Sequence, residues 1–336
     1  MIRADANEQI GAGHVMRCLS IADAFRDIGE EALFVTADHK ADQMIHGKGF
    51  ESVCLDSDWK LIGRENLKDQ LDKYHPDVLI VDSYYVTESC FDGIPDQIHT
   101  VYIDDLNEKV FKVDFLINYN IFSSEMDYSL YAQHGTKLLL GSGYAPLRKE
   151  FRGAGSYRIR KDVRDVFVSA GGSDPLGITE RLIAGICPVW PDIRFHFVIG
   201  ELNPRMDEIR RLAGNNIVLY VNEQNMAGLM KQCDIAISAA GSTLYELCAV
   251  GVPTITYTLA DNQRPAAEQF QKQGIMVYAG DCRKNKAFDD KVCLCLADLL
   301  QYQRRRQEMS VRMQKLIDGQ GAARIARRIG KNRGDF

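Results

Sequence analysis

The sequence contains no run of about 18 consecutive apolar residues, the length that a membrane-spanning helix requires. Its first residues also lack the apolar stretch behind a basic start that marks a secretory signal. We therefore expect no integral membrane segment and no signal peptide. The 336 residues are 46% apolar and 26% charged, which is the composition of an ordinary globular protein.

Basic residues are not in excess, since 41 Lys and Arg stand against 46 Asp and Glu and the net charge is −5. Proteins that bind nucleic acid use Lys and Arg to neutralise its phosphates. The charge balance therefore argues against a nucleic-acid partner, but it is compatible with one small anionic ligand at a single site. The sequence does not indicate an oligomeric state.

The nine cysteines form no metal-binding pattern, because no Cys-x-x-Cys pair is present. Cys293 and Cys295 lie in a helical pattern, where side chains two residues apart diverge. We expect no metal site and no cofactor. An odd number of thiols, most of them in apolar contexts, predicts a reducing compartment and hence a cytoplasmic protein.

The length predicts two domains, because single domains cluster near ~100–200 residues. Runs rich in β-branched residues alternate with amphipathic stretches, which is the order of α/β domains with parallel sheets. Several runs are apolar at consecutive positions, as in parallel strands buried on both faces. The predicted strands are Ile2–Asp5, Ala32–Thr36, Ser52–Leu55, Val78–Asp82, Thr100–Ile103, Phe115–Asn118, Lys137–Leu140, Asp165–Ser169, Phe195–Ile199, Ile217–Val221, Ile235–Ser238, Thr254–Tyr257 and Met276–Tyr278. The predicted helices are Gly13–Asp27, Glu65–Lys73, Pro175–Ile186, Gln224–Gln232, Thr243–Val250, Pro265–Lys272, Asp289–Gln301 and Gln303–Ile317.

The pattern is interrupted near the middle of the chain, where 141–161 is rich in Gly and charged residues. Each half begins with a strand, a Gly-rich loop and a helix. We predict one doubly wound domain at 1–150, a linker at 151–162 and a second domain at 163–336. The basic side chains of 324–333 are expected to lie in solvent. Ligands of such folds bind beyond the carboxyl ends of the strands.

The first Gly-rich loop carries a candidate general base, His14. Glycine lets the backbone approach a ligand, and the N–H groups of the following helix favour an anion. The helix dipole disfavours the imidazolium form, and a neutral imidazole is able to accept a proton. A helix-capping histidine is the alternative. Arg17 lies one turn further on, and its partner is either a ligand phosphate or Asp5. A dinucleotide fingerprint would have a third glycine where Met16 stands, which argues against NAD.

The second Gly-rich loop, Gly171-Gly172-Ser173, resembles a phosphate-binding loop. Asp174 is predicted to cap the next helix and Pro175 to take its first position. An ordinary helix start without a ligand is the alternative.

A second anion site is predicted where a buried strand ends in small residues up to Gly241 and the pair Ser242 and Thr243 opens the next helix. Backbone amides and two hydroxyls are able to hold a diphosphate without a metal. Glu246, one turn further on, suits a ribose diol, with a plain surface glutamate as the alternative. On the loop after the next strand, Asn262 and Gln263 suit sugar hydroxyls or form an ordinary turn.

These loops together resemble the GT-B nucleotide-sugar glycosyltransferases, in particular the family that adds N-acetylglucosamine to lipid I. The chain is still more similar to the UDP-sugar hydrolases of pseudaminic acid biosynthesis, along nearly all of its length. The resemblance implies a GT-B fold, in which two Rossmann-like parallel-sheet domains face a cleft. It also implies that the final helices and the basic end 324–333 cross back over the first domain. It rests on the motifs Ile10-Gly-x-Gly-His-x-Met-Arg17, Val81-Asp-x-Tyr84, Gly171-Gly-Ser-Asp-Pro175, Ser238-Ala-Ala-Gly-Ser-Thr-Leu-Tyr-Glu246 and Ala260-Asp-Asn-Gln263. Ser83 stands where relatives carry histidine, and Tyr85 where a smaller residue is usual.

The resemblance also implies a role for each motif. The second domain would hold UDP, with the diphosphate and ribose against the two anion loops and uracil near a strand end. The implied UDP-binding residues are Gly171, Gly172, Ser173, Val221, Asn222, Gly241, Ser242, Thr243 and Glu246. The implied sugar-binding residues are Gly13, Arg17, Tyr84, Asn262 and Gln263.

The implied reaction is metal-independent hydrolysis of a UDP-linked diacetamido-trideoxyhexose. His14 would take a proton from a water that attacks the anomeric carbon with inversion. An inverting glycosyltransferase, in which His14 deprotonates an acceptor hydroxyl, is the first alternative. A nucleotide-sugar binding protein without catalysis is the second.

Overall fold

The computed structural model of the chain describes residues 1–7, 9–153, 157–172, 174–200, 203–285 and 287–331. Ser173, one of the expected diphosphate-binding residues, lies outside these ranges. The chain divides into two compact units. The first unit is Met1–Lys149 together with Gln320–Phe336, and the second is Glu150–Gly319. Within the described ranges, no helix combines the length and the apolar character that crossing a membrane requires.

The first unit is built on a seven-stranded parallel sheet with the order β3-β2-β1-β4-β5-β6-β7. Its strands are β1 (Ile2–Ala4), β2 (Leu33–Thr36), β3 (Glu51–Cys54), β4 (Val78–Asp82), β5 (His99–Ile103), β6 (Phe115–Asn118) and β7 (Lys137–Leu140). Its first four helices are α1 (Gly13–Arg26), α2 (Asp42–Gly47), α3 (Arg64–Tyr74) and α4 (Ser129–Gln133).

The second unit is built on a six-stranded parallel sheet with the order β10-β9-β8-β11-β12-β13. Its strands are β8 (Asp165–Ser169), β9 (Arg194–Ile199), β10 (Ile217–Val221), β11 (Ile235–Ala239), β12 (Thr254–Thr258) and β13 (Val277–Asp281). Its helices are α5 (Ile178–Gly185), α6 (Met206–Leu212), α7 (Met226–Gln232), α8 (Thr243–Val250), α9 (Arg264–Lys272), α10 (Phe288–Gln301) and α11 (Gln303–Leu316).

The last helix, α12 (Gly321–Lys331), packs against α1 in the first unit. Its apolar side is fully buried, and a Cβ on Gly321 would lie 2.1 Å from the carbonyl oxygen of Ala145. The basic side chains of Arg327 and Arg328 are exposed, as predicted for this stretch. The helix is therefore amphipathic, and burial of its apolar face holds it in place.

All thirteen predicted strands are present, within two residues at most ends. The central strands are recognisable in the sequence because burial on both faces favours consecutive apolar residues, as in Val78–Asp82. The helix predicted at Pro175–Ile186 starts too early, since the observed helix α5 begins at Ile178. The prediction of two doubly wound parallel α/β halves is confirmed.

In both sheets, the strand order reverses beside the first strand of the unit. The chain moves outward from β1 through β2 to β3, then returns to place β4 on the other side of β1. The second sheet repeats this at β8 and β11. Loops that leave two such strands turn in opposite directions and open a crevice at the carboxyl edge, where doubly wound folds bind ligands. The topology therefore places one candidate site in each unit.

Candidate active site

His14 lies at the reversal point of the first sheet. It is the second residue of α1, it is buried, and its Nδ1 lies 2.7 Å from Oδ1 of Asp82 at the end of β4. This contact arises because β4 pairs with β1. The loop after β1 leads into α1, and the start of α1 therefore meets the carboxyl end of β4. Histidine and carboxylate thus form a buried pair at the predicted edge of the sheet.

The Asp82 carboxylate is shared between His14 and Arg17. Arg17 Nε donates to Oδ2 and Nη2 donates to Oδ1, each at 2.5 Å, so the guanidinium binds both carboxylate oxygens. Burial alone would raise the pKa of Asp82, but the Arg17 guanidinium and the His14 ring hold it far below its ordinary value. Asp82 therefore stays ionised inside the first unit.

The proton of His14 resides on Nδ1. An unprotonated Nδ1 at 2.7 Å from an ionised carboxylate would bring two lone pairs together, which is repulsive. Arg17 Nη2 also lies 3.0 Å from Nδ1, but its proton is directed to the stronger acceptor, Asp82 Oδ1. Among the described residues, none hydrogen-bonds to Nε2 of His14. Nε2 is therefore the basic nitrogen that remains available.

Arg17 also holds a second carboxylate, Asp105. Its Nη1 donates to Asp105 Oδ2 at 2.7 Å and to the Tyr119 hydroxyl at 2.8 Å. Burial alone would lower the pKa of Arg17, but Asp105 and Asp82 raise it well above its ordinary value. Burial, partly offset by Arg17, raises the pKa of Tyr119 to about 12. One buried cation thus ties two carboxylates and a tyrosine into a rigid network.

Tyr84 borders this network on the open side. Its hydroxyl donates to Asp105 Oδ2 at 3.0 Å, and its ring lies edge-on to His14 with 4.8 Å between centroids. Burial and the Asp105 charge raise the pKa of Tyr84 above its ordinary value, so it remains a neutral donor. The following Tyr85 packs edge-on against Trp59 at 4.9 Å. Tyr84 is the partly exposed side chain through which this group meets solvent.

Arg17 binds Asp82 and Asp105 within the protein, and the prediction of Asp5 as its partner is wrong. Asp5 is not bound to Arg17, since its Oδ2 lies 2.6 Å from Arg3 Nη1 and its Oδ1 accepts from the Ala37 amide at 2.7 Å. Asp82 ends β4, which pairs with β1, and Asp105 follows β5, which pairs with β4, so both carboxylates lie at the carboxyl edge of the sheet near α1. The donors of Arg17 are therefore largely engaged within the protein.

We expect the stability of the first unit to fall in acid through Asp82. Its folded-state pKa lies below the unfolded value near ~3.9, so the unfolded chain binds the proton more readily. The contribution of ionised Asp82 to the free energy of unfolding is complete above about pH 5, and it is lost as the pH falls through and below about 4. Urea unfolding at a series of pH values measures it. An Asp82→Asn variant with the same acid slope as the wild type would contradict this origin.

The loop before His14 is closed by Asn7, which the sequence interpretation missed. The Asn7 side chain accepts from the amides of Gln9 and Ile10 at 2.9 and 3.1 Å, and its carbonyl accepts from Gly11 at 2.8 Å. Gly11 has a left-handed φ of 70°, which explains the need for glycine. A Cβ on Gly13 would meet nothing within 4 Å in the described chain, so the surface beside His14 is open.

In the second unit, Asp174 caps α5 from a distance. Its carboxylate accepts from the amides of Ile178 and Thr179 at 2.9 and 2.8 Å, so the predicted capping role is confirmed. Pro175 is not the first helical residue, because both Asp174 (φ 40°) and Gly177 (φ 68°) are left-handed and delay the helix. The loop that follows β8 is consequently longer than predicted.

Gly172 packs against the end of the neighbouring strand β9. A Cβ on Gly200 would lie 2.0 Å from the Gly172 carbonyl oxygen, so only glycine fits there. Gly171 has a φ of 89°, and a Cβ on Gly171 or Gly172 would meet nothing within 4 Å among the described residues. The loop is thus held from one side by Gly200 and is open on the other.

We expect Gly200→Ala to lower the free energy of unfolding by about 1–3 kcal/mol, the usual cost of overpacking. The backbone of the Gly172 loop must move to admit the methyl group. Urea unfolding measures the effect, and Gly172→Ala is the matched control because its Cβ would have space. Equal stability of Gly200→Ala and the wild type would show that this contact does not constrain the loop.

The second predicted anion loop lies beside the first at the reversal point of the second sheet. Helix α8 begins at Thr243 as predicted, with Ser242 at the N-cap position and no side-chain capping bond. The hydroxyls of Ser242 and Thr243 have no hydrogen-bond partner among the described residues. Glu246 lies in the first turn and is half-buried. Helix-end amides and two hydroxyls are therefore available to an anion.

The other predicted residues lie at carboxyl ends of strands in the same unit. Val221 ends β10 and is exposed, and Asn222 is left-handed at φ 52°. Asn262 is exposed in a short turn after β12, and the Gln263 side chain accepts from the Leu259 amide at 2.8 Å. The Gln263 side chain is therefore part of the turn, which agrees with the alternative prediction of an ordinary turn for this loop.

The structure divides the predicted site residues between the units. His14, Arg17 and Tyr84 come together in the first unit around Asp82 and Asp105. Gly13 lies beside His14 in the same unit, and the predicted residues of the second unit, Ser173 aside, lie along the carboxyl edge of its sheet. A carboxylate at the last position of a buried strand is the sequence signal that points to Asp82.

Solved glycosyltransferases share this fold along the whole chain. MurG of Acinetobacter baumannii has a TM-score of 0.68 and 13% identity, and the match covers 98% of this chain and 99% of MurG. The calicheamicin glycosyltransferase CalG4 has a TM-score of 0.66 and 16% identity, with 99% and 98% covered. The predicted GT-B fold of two Rossmann-like units is therefore confirmed.

The amino-acid sequence is also similar to a protein-family model and to several individual proteins. Residues 166–321 match the Glycosyltransferase family 28 C-terminal domain. A Methanocaldococcus jannaschii protein, MJ1062, is 26% identical over 81% of this chain, which spans 58% of that relative's length. The Bacillus subtilis spore coat polysaccharide biosynthesis protein SpsG is 27% identical, with 83% of each chain covered. The Campylobacter jejuni UDP-2,4-diacetamido-2,4,6-trideoxy-beta-L-altropyranose hydrolase is 25% identical over 82% of this chain and 97% of its own. The resemblance to these hydrolases is confirmed.

Proposed function

We propose that this protein is a UDP-sugar hydrolase that releases UDP and a free diacetamido-trideoxyhexose with inversion. The observation that carries the proposal is the buried His14–Asp82 pair, which leaves Nε2 of His14 free to take a proton. The relative from Campylobacter jejuni, which bears such a hydrolase name, supports the choice of substrate. We propose a cytoplasmic location, as predicted from the cysteines.

In the proposed step, Nε2 of His14 removes a proton from a water molecule as its oxygen attacks the anomeric carbon. The bond from that carbon to the β-phosphate oxygen breaks, and its electron pair leaves with UDP. UDP is a stable anion, so the step needs no acid to protonate it and we propose no metal. His14 then returns the proton to solvent. General-base assistance of this kind contributes about 10²–10⁴ in rate.

Asp82 and Arg17 are proposed to position the base. Asp82 accepts the Nδ1 proton, which fixes the tautomer, and it stabilises the imidazolium that forms during the step. Because the Arg17 donors are engaged by Asp82 and Asp105, we propose that Arg17 acts on the sugar site through these carboxylates. Tyr84 is proposed to contact the sugar, with its hydroxyl oxygen accepting from a sugar hydroxyl, together with the backbone at Gly13 and the side chains of Asn262 and Gln263.

The second unit is proposed to hold UDP without a metal. Amides at the start of α8 and in the Gly-rich loop would balance charge on the diphosphate. This is supported by the space beside Gly171, Gly172 and Gly241 and by the hydroxyls of Ser242 and Thr243, which have no hydrogen-bond partner in the part of the chain that the structure describes. The residues proposed for the diphosphate are Gly171, Gly172, Ser173, Gly241, Ser242 and Thr243. Glu246 is proposed for the ribose, and Val221 and Asn222 for uracil.

Transfer to an acceptor alcohol is the second candidate function, and the match to the glycosyltransferase family 28 domain favours it. The same geometry at His14 would then deprotonate an acceptor hydroxyl instead of water. The two reactions share the UDP-sugar and differ only in the nucleophile.

The test offers the purified full chain a UDP-diacetamido-trideoxyhexose with EDTA and no acceptor, and follows UDP release. We expect release at a steady rate, with the anomer of the product inverted when it is observed by NMR before it equilibrates. UDP-N-acetylglucosamine is the control substrate. Release that begins only after an acceptor alcohol is added would show transfer, and UDP binding without release in either case would show a binding protein.

A further inference from the structure

A group of His, Cys and Asp side chains lies at the carboxyl ends of β2 and β3 in the first unit. His39 opens a short turn after β2, Cys54 is the last residue of β3, and Asp56 follows two residues later. Parallel pairing places Thr36 opposite Cys54. The register of the two strands therefore brings three metal-binding residue types together from separate segments.

We propose that His39, Cys54 and Asp56 bind a divalent cation of the zinc class. One donor atom from each side chain lies within 4.8 Å of the donor atoms of the other two. Tetrahedral zinc, with bonds of about 2.0–2.3 Å, separates its ligand atoms by about 3.3–3.8 Å. Small side-chain rotations are therefore enough to close the set.

The choice of ion follows from the donor atoms. Nitrogen, sulfur and oxygen together suit Zn²⁺, whereas Mg²⁺ and Ca²⁺ prefer oxygen alone. Three protein ligands leave the fourth tetrahedral position for water. The Cys54 thiol loses its proton to solvent when the metal binds, because thiolate is the ligand form.

The backbone already holds the two segments together. The Leu55 amide donates to the Thr36 carbonyl at 2.9 Å, and the Ser57 amide donates to the Ala37 carbonyl at 3.0 Å. Asp56 adopts a left-handed φ of 49°, uncommon outside glycine, and its Oδ1 lies 3.4 Å from Cys54 Sγ. The carboxylate and the thiol are thus neighbours before any ion arrives.

His39 is oriented by a carboxylate outside the proposed ligand set. Its Nδ1 lies 2.6 Å from Oδ2 of Asp42, and Asp42 Oδ1 accepts from the Ser52 hydroxyl at 2.7 Å. Metal-binding histidines commonly donate one ring N–H to a carboxylate in this way, which leaves the other nitrogen as ligand. The ring is largely exposed, so an ion is able to reach its other nitrogen from solvent.

The test titrates the reduced, native full chain with Co²⁺ as a spectroscopic probe and then displaces it with Zn²⁺. We expect one ion per chain, a thiolate-to-cobalt charge-transfer absorption, and displacement by Zn²⁺ but not by Mg²⁺. Cys54→Ser should abolish that absorption. His39→Gln and Asp56→Asn should weaken Zn²⁺ binding by at least about tenfold, and Asp42→Asn by about tenfold.

Two substitutions outside the group are matched controls, Cys293→Ser for the thiol and His134→Gln for the exposed imidazole. Both should bind cobalt like the wild type, with unchanged circular dichroism. Absence of stoichiometric binding, or a charge-transfer absorption that persists in Cys54→Ser, would overturn the proposal. The measurement is independent of UDP-sugar hydrolysis, which is assayed in EDTA.

Discussion

His14→Asn is expected to reduce kcat for UDP release by about 10²–10⁴-fold while leaving UDP affinity unchanged. The asparagine amide is able to take the place of Nδ1 and donate to Asp82, so the buried carboxylate keeps a partner. It has no atom that accepts a proton at neutral pH. Steady-state UDP release and calorimetric titration with UDP measure the two quantities separately.

His196→Asn is the matched control for this variant. His196 is also buried and also faces a carboxylate, with Nε2 at 2.9 Å from Asp165 Oδ1. Asp165 begins β8, so this pair belongs to the amino edge of the second sheet, away from the predicted ligand loops. We expect the control to lose stability and to keep its kcat. Wild-type turnover in His14→Asn would remove His14 from the mechanism.

Asp82→Asn is expected to have the second large effect, on stability and on turnover together. Removing one member of a buried ion pair costs about 3–5 kcal/mol, because the remaining charge is left without its counterion. Arg17 keeps Asp105, which places the expected loss toward the lower end of this range. The Asn amide also disfavours the His14 tautomer with its proton on Nδ1. We therefore expect kcat to fall by about 10²–10⁴-fold.

Asp105→Asn separates the two consequences of losing Asp82. Asp105 shares Arg17 with Asp82 but is more exposed and does not contact His14, so its loss should cost less stability and keep the orientation of the base. Urea unfolding and the pH dependence of kcat/KM measure the two effects. A folded Asp82→Asn protein with wild-type kcat and pH profile would show that Asp82 does not position His14.

Much of the fold follows from local sequence patterns. Strands such as Val78–Asp82 and Asp165–Ser169 are found at their predicted positions, because burial within a parallel sheet demands short runs of apolar, β-branched residues. Helix α8 is also found as predicted, since its start and its Gly251 end are both marked by residue type. The delayed start of α5 was not predictable, because left-handed backbone at Asp174 is decided by its buried side-chain bonds.

The sequence by itself determined two parallel α/β halves, the Gly-rich loops and His14 as candidate base. Only the tertiary structure decided the partners of these residues. Asp82 lies 68 positions from His14, and it reaches the ring because β4 pairs with β1 instead of with β3. The proposed metal ligands likewise meet only through the register of β2 and β3. Hydrophobic patterning specifies that a segment is a buried strand, but the choice of neighbour depends on how crossover helices cover both faces of the sheet.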